Sequence, residues 1–193
     1  SHSSRGYHII IIGDKGHAEV VGISGFAKEL GIVINTLTDV DLLPHMDKVC
    51  VVAQTTQNAK DFQEIIEKIQ KRFPKAKIFN TICNSTYKRQ EEALQIAREV
   101  EAMIIVGGKN SANTIRLAHM VAALPKPAFH IETPEELKVE ELKRFDCLGV
   151  TAGASTPNWI INGVVEKLNT LKQYKANFLM RYLFGILSFL DRS

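Results

Sequence analysis

The chain has 193 residues, 45% hydrophobic and 23% charged, an ordinary globular composition with apolar material for one large domain or two small ones, which excludes a disordered chain. Its formal charge is only +3, with Lys and Arg scattered among nearly as many Asp and Glu; this excludes a dedicated nucleic-acid surface and leaves any bound anion to be held by local geometry. Three cysteines, Cys50, Cys83 and Cys147, lie far apart with no C-x-x-C pair and no secretory signal, a pattern that points to a reducing cytoplasm and not to a disulfide framework.

From the amino end, a polar stretch from Ser1 to Gly6 leads straight into a strand-like segment, and residue 1 is not Met, which reads as a fragment boundary. Short apolar runs of β character then alternate with amphipathic helical stretches, the pattern of a mostly parallel sheet covered by helices. Strands are expected at residues 7–12, 32–35, 48–53, 77–80, 102–106, 128–131 and 147–150. Between them, Phe62, Ile65, Ile66, Ile69 and Phe73 follow helical spacing, as do Ile160, Ile161, Val164, Val165, Leu168 and Leu171, so both stripes belong to a core. The expected organisation is two Rossmann-like three-layer α/β modules, residues 1–80 and 81–171, packed without a flexible linker. A weak echo runs through IIIIGDKGH, VVAQTT, IIVGGKNSAN and LGVTAGAST, each an apolar strand breaking into small polar residues before a helix.

Residues 172–193 change character. The run ANFLMRYLFGILSFL is broken only by Arg181, follows Lys172 and Lys175, and is followed by Asp191 and Arg192. It is shorter than the roughly 18 residues of a spanning helix. A hydrophobic helical tail is expected here, either packed on the protein or lying at a membrane interface.

Ligands of open α/β sheets bind beyond the carboxyl ends of the strands, where helix N-termini present N–H groups suited to phosphate. Those places hold Gly13, Gly16, His17 and Glu19; Gln54, Thr55 and Thr56; Gly107, Gly108, Lys109, Asn110, Ser111 and Asn113; and Thr151, Gly153, Ser155 and Thr156. Singly, each loop is explained by helix capping; together they favour a polyanionic ligand. Neither G-x-x-x-x-G-K-S/T nor a helix-opening G-x-G-x-x-G is present, so the common nucleotide fingerprints are excluded. His17 and Glu19 form a titratable pair in a glycine-bracketed turn, read either as a proton-transfer pair or as a solvated loop. His8, His45, His119 and His130 show no metal-ligand spacing and read as structural. Cys50 and Cys147 lie in apolar strands and read as core. Cys83 stands between a strand and a helix, where a thiolate gains from the helix dipole, so metal ligand and nucleophile both remain open beside a purely local role.

The motifs GHAEV, AQTT, TIC with RQEEA, VGGKNSANTIRLA and GVTAGASTP, in that order from about Tyr7 to Leu168, resemble the 4-hydroxy-3-methylbut-2-enyl diphosphate reductase (LytB) family. The resemblance implies a cytoplasmic iron-sulfur enzyme of the non-mevalonate route to isoprenoid precursors. Such an enzyme has three α/β modules around a 4Fe-4S cluster and removes the allylic hydroxyl to give isopentenyl and dimethylallyl diphosphate. It implies Cys83 as a cluster ligand, Glu19 as the proton source, His17, Thr55, Ser111, Asn113 and Ser155 as substrate contacts, and an electron donor such as ferredoxin or flavodoxin. It also implies that this chain carries the second and third modules. The first module, with two further cluster cysteines, would then be a missing partner, and the chain alone would be inactive. Ala18 stands where the family usually has Pro, Val21 where an acidic residue is common, and Ala112 where a second Ser often sits. Two other readings are a non-catalytic module for phosphorylated ligands and part of a larger membrane-associated fusion.

Overall fold

The structure, a computed structural model, describes residues 2–172 and 179–182. It separates into two compact units, Ser1–Tyr87 and Lys88–Ser193.

In the first unit, β1 (His8–Ile12), β2 (Gly31–Ile34), β3 (Val49–Ala53) and β4 (Lys77–Ile78) form one sheet in the order β2-β1-β3-β4. Every neighbouring pair is parallel. The run of isoleucines in β1 is buried throughout because the sheet is covered on both faces, as parallel sheets require. Alternation divides it: Ile10 and Ile12 join one cluster with Val51, Ile65 and Ile69, whereas Ile9 and Ile11 join another with Val20, Ala27 and Cys50. Helix α1 (Ala18–Ala27) covers the second face, and α2 (Ala59–Arg72) covers the first with Phe62, Ile65, Ile66 and Ile69. The start of α2 is fixed by Asn58, whose Oδ1 accepts from Lys60 N at 2.8 Å and Asp61 N at 3.2 Å.

In the second unit, β5 (Ala102–Val106), β6 (Ala128–Ile131), β7 (Cys147–Ala152) and β8 (Leu179–Tyr182) form a sheet in the order β6-β5-β7-β8, again parallel at each pair. Helices α3 (Asn84–Glu99) and α4 (Ala112–Ala122) contribute Ala93, Ala97, Leu117 and Val121 to one face with Met103 and Ile105. The short α5 (Val139–Leu142) and α6 (Asn158–Lys172) cover the other with Leu142, Ile160, Ile161, Val164 and Leu168. The two sheets therefore repeat one strand order, which gives the echo in the sequence its structural content.

Two boundaries differ from the sequence expectation. The units divide inside α3, between Tyr87 and Lys88, so Cys83 belongs to the first unit. In the expected helical tail, Leu179–Tyr182 is a strand, in register with Cys147–Val150 of β7. An apolar run beside an open parallel edge satisfies its backbone by pairing there, and the edge is not legible from local sequence. The rest of that tail, residues 173–178 and 183–193, lies outside the described residues. Among the described residues, no helix is long and apolar enough to cross a membrane.

Candidate active site

At the carboxyl end of β1 the chain turns through Gly13, Asp14, Lys15 and Gly16 into α1. His17 is the N-cap: its backbone is extended, and its Nδ1 accepts from Glu19 N at 3.3 Å. Glu19, in the first helical turn, projects across to the loop after β3. There Oε1 accepts from Thr55 N at 3.0 Å and Oε2 accepts from the Thr55 hydroxyl at 2.9 Å. Both residues are half-buried. The carbonyl of Thr55 in turn accepts from Cys83 N at 2.9 Å. Thr55 is thus held on one side by the carboxylate and on the other by the backbone of the cysteine.

Cys83 reaches this position because the chain beyond β4 continues alongside β3. Phe79 N donates to Val51 O at 2.9 Å, and Thr81 Oγ1 accepts from Ala53 N at 2.8 Å and donates to Ala53 O at 2.5 Å. The cysteine is exposed and immediately precedes α3, with Sγ 3.0 Å from the Ser85 hydroxyl. Hydrogen bonds from the Ser85 side chain, then from the Ser85 and Thr86 backbone, pull its thiol below the ordinary value. Burial pushes the Cys50 thiol the other way. His17, Glu19, Thr55 and Cys83 are therefore brought together in the first unit.

The second unit builds a polar end of its own. After β5, Gly107 has φ +145, and a Cβ there would lie 2.5 Å from Thr156 Oγ1 and 2.8 Å from Thr114 Oγ1. A Cβ on Gly153, after β7, would lie 2.1 Å from Thr114 Oγ1. The glycines let the two loops close on Thr114, and Thr156 Oγ1 fastens them by donating to Val106 O at 2.9 Å. Ser111 is the N-cap of α4, accepting from Thr114 N at 3.5 Å. Asn113, one residue into the helix, is 6% exposed. Neither its Oδ1 nor its Nδ2 has a hydrogen-bond partner. Ser155 is exposed in the loop before α6. Lys109, between the glycines and Ser111, donates its N–H to Glu132 Oε1 at 2.7 Å and pairs with Glu136 Oε2 at 2.6 Å. That pair holds the Glu136 carboxyl below and the Lys109 ammonium above their usual values. His130 is not idle either: its Nε2 lies 2.9 Å from Gly107 O.

The sequence that forms these loops matches the LytB protein family over residues 1–169. The chain belongs to the LytB family. Within it, the chain is 40% identical over 173 residues to the 4-hydroxy-3-methylbut-2-enyl diphosphate reductase of Caldanaerobacter subterraneus subsp. tengcongensis, covering 90% of this chain and 60% of that protein. It is 43% identical over 169 residues to the reductase of the same name from Campylobacter hominis, covering 88% of this chain and 62% of that one. Among solved structures, the E-1-hydroxy-2-methyl-but-2-enyl-4-diphosphate reductase of Plasmodium falciparum superposes with a TM-score of 0.84 at 27% identity, over 94% of this chain and 57% of that one. A second, a (E)-4-hydroxy-3-methyl-but-2-enyl diphosphate reductase, gives a TM-score of 0.51 at 42% identity, over 87% and 61% of the two chains. This LytB chain thus spans about 60% of the length of the curated relatives it matches.

Three further residues shape the LytB loops: Gln54, already named among the loop residues, and Thr114 and Arg89, which the sequence marks only as members of longer motifs. Gln54 is wholly buried; its Oε1 accepts from Asp14 N at 2.9 Å and its Nε2 donates to Thr56 Oγ1 at 2.9 Å, stapling the loops after β1 and β3 together. Only glycine fits opposite it at position 13, where a Cβ would lie 2.8 Å from the Gln54 side chain. Thr114 forms the floor between Gly107 and Gly153. Arg89, in the RQEEA stretch, donates from Nη1 to Ala152 O at 3.1 Å and so fixes the end of β7 just before Gly153. The available signal was their type: an amide and an arginine next to apolar runs must find buried acceptors or donors.

Proposed function

We propose that this chain supplies the diphosphate-binding and proton-delivering part of a 4-hydroxy-3-methylbut-2-enyl diphosphate reductase acting in the cytoplasm. The observation that carries the reading is the clasp of Glu19 on Thr55, with Cys83 on the far side of the same residue. The overall change is loss of the allylic hydroxyl as water with uptake of two electrons and two protons. A carboxyl group beside the leaving hydroxyl turns a poor leaving group into water. Glu19 fills that role, and the Thr55 hydroxyl, bonded to Oε2, orients it and offers a path for the proton.

The residues fit one corner of an iron-sulfur cluster. An exposed thiol whose pKa is lowered by Ser85 and the N-terminus of α3 is a ready thiolate donor. Among the described residues, no group of three or more His, Cys, Asp or Glu could hold a metal ion, so a cluster held by three cysteines takes its other ligands from outside them. When bound, a 4Fe-4S cluster supplies electrons and Lewis acidity at the hydroxyl, fed by a donor such as ferredoxin or flavodoxin. In the second unit, Ser111 at the N-cap of α4, Asn113 in its first turn and Ser155 in the loop before α6 are the contacts offered to a diphosphate; in the first unit, His17 at the N-cap of α1 is offered likewise. Unpartnered buried amide atoms on Asn113 support this, because a buried polar group without a partner is costly unless a ligand completes it.

The test joins this chain to the portion of the Caldanaerobacter reductase that it does not match and reconstitutes with iron and sulfide. The expected result is a brown, oxygen-sensitive protein that reduces the substrate, with cluster absorption lost in Cys83→Ser. Full cluster content in Cys83→Ser removes the ligand assignment. A second reading, a phosphate-binding module without a cluster, is favoured by the single thiolate at this site; it predicts diphosphate binding with no metal uptake in the joined protein.

A further inference from the structure

The polar end of the second unit gathers buried groups that lack partners. β7 ends in Thr151 and Ala152, and the loop beyond it closes on Thr114 at Gly153, where an added Cβ would lie 2.1 Å from Thr114 Oγ1. Thr114 and Thr151 are wholly buried, and neither hydroxyl has a hydrogen-bond partner among the described residues. The amide of Asn113, next to Thr114, is in the same condition. Arg89 of α3 adds a fourth group. Its Nη1 donates to Ala152 O at 3.1 Å, while its buried Nε has no partner among the described residues. Each such group costs stability unless something completes it. Four of them around the ends of one sheet point to a ligand, because a folded protein keeps few.

Charge sets the sign of that ligand. Hydrogen bonds place two basic side chains at these loops, Lys109 and Arg89. Lys109 is already neutralised, with its ammonium 2.6 Å from Glu136 Oε2. Arg89 pairs with no acid among the described residues and meets only the Ala152 carbonyl. A guanidinium does not shed its proton in a protein. Half-buried and without a counter-ion, Arg89 keeps a positive field at the carboxyl end of β7. The N-terminus of α4, which carries Asn113 and Thr114 in its first turn, adds a dipole of the same sign.

We infer that Arg89 is the counter-charge of a diphosphate bound in the second unit, acting across the loop that its Nη1 holds, while the uncharged Ser111, Asn113 and Ser155 supply the hydrogen bonds. The inference rests on the proposed function, which puts a diphosphate at these loops. It gives Arg89 two separable tasks. Donation to Ala152 O fixes the loop, and a neutral amide can do that. Attraction of the anion needs the charge. The same field gives the site a preference: a diphosphate carries more negative charge than a single phosphate and gains more from one guanidinium.

The test titrates inorganic diphosphate calorimetrically into this chain over a range of KCl concentrations. Arg89→Gln keeps an N–H donor for Ala152 O and removes the charge. Its affinity at low salt should fall about tenfold, and the decline of affinity with KCl should become shallower, because the screened attraction has gone. Arg89→Lys keeps the charge and should bind within about threefold of the unaltered chain, with the same salt dependence. Lys109→Gln with Glu136→Gln deletes that ion pair at constant net charge and should leave the salt dependence as it was. A merely structural Arg89 would lower the urea midpoint in Arg89→Gln and leave the salt dependence unchanged, which overturns the inference. Salt dependence lost in the Lys109, Glu136 double variant and kept in Arg89→Gln overturns it in favour of Lys109. One measurement needs no variant: inorganic phosphate should bind the unaltered chain at least about tenfold more weakly than diphosphate, the gap narrowing as KCl rises. A gap that salt does not narrow overturns the inference. If Ser155→Ala weakens diphosphate binding while Arg89→Gln keeps affinity and salt dependence, the counter-charge falls and the proposed function stands; if the unaltered chain binds no diphosphate, both fall.

Discussion

The Glu19 carboxylate accepts both donors of Thr55, the backbone N–H at 3.0 Å and the hydroxyl at 2.9 Å, across a sequence separation of 36 residues. Two acceptor oxygens on two donors of one residue fix the carboxyl plane, so the loops after β1 and β3 hold the acid in one orientation. In the joined reductase, Glu19→Gln keeps the shape but loses the transferable proton. Turnover should fall by about 10²-fold or more, while calorimetric affinity for inorganic diphosphate stays within about twofold. Near-normal turnover removes the proton-delivery role. A parallel loss of diphosphate affinity assigns Glu19 to binding.

Cys83 should behave as an activated thiol even without a cluster. Its pKa is lowered chiefly by the Ser85 side chain. A lowered thiol pKa means more thiolate at any pH below the ordinary value of about 8.5, hence faster alkylation there. The iodoacetamide rate at Cys83 should therefore reach half its maximum at a pH below that of a free cysteine peptide. Ser85→Ala should shift the midpoint upward. Cys50, buried and with its thiol pushed up, should remain unmodified in the folded protein. An unchanged midpoint in Ser85→Ala would show that the hydroxyl has no part in lowering the pKa.

Much of the frame is readable from local sequence because the strands are short, apolar and buried on both faces. The expected spans at 102–106 and 128–131 coincide with β5 and β6. What local pattern does not encode is where polar side chains find partners far away in the chain. His17, Glu19, Thr55 and Cys83 are visible as loop residues, yet the bonds between Glu19 and Thr55 depend on β1 and β3 being neighbours, and the bond between Cys83 and Thr55 depends on β3 and β4 being neighbours. The same holds for Gln54, whose bond to Asp14 N closes across that pair. At the other end of the chain, Leu179–Tyr182 has no local mark of a strand, because the reason for it is the free edge of β7.

The glycines over Thr114 should be intolerant of a single methyl group. Gly153→Ala would place its Cβ 2.1 Å from Thr114 Oγ1, and overpacking at a closed contact costs about 1–3 kcal/mol. The urea midpoint of this chain should fall accordingly. Thr114→Ala removes the obstructing hydroxyl, so the Gly153→Ala, Thr114→Ala double variant should recover most of the loss, giving a favourable coupling energy. Gly16→Ala, where nothing lies within 4 Å, should leave the midpoint nearly unchanged. Additive losses at Gly153 and Thr114 would show that the backbone, and not this contact, sets the requirement.

Asn113 should trade stability for ligand affinity. Its side chain is 6% exposed, and neither its Oδ1 nor its Nδ2 has a partner. A buried amide left unpaired costs about 1–3 kcal/mol. Asn113→Leu keeps a similar branched shape and removes both polar atoms, so this chain alone should become more stable by an amount in that range, read from urea unfolding. The same substitution removes a donor beside Ser111 at the N-terminus of α4, where backbone N–H groups and the helix dipole already favour an anion. Calorimetric affinity for inorganic diphosphate should fall about tenfold, the weight of one hydrogen bond to a charged group. Ser155→Ala, exposed and outside any core, should weaken diphosphate binding with no gain in stability. The contrast separates the two kinds of contact: an amide kept buried for a ligand raises stability when deleted, and a surface hydroxyl does not. If Asn113→Leu lowers stability and leaves diphosphate affinity intact, the amide is part of the core and the binding role passes to Ser111 and Ser155 alone.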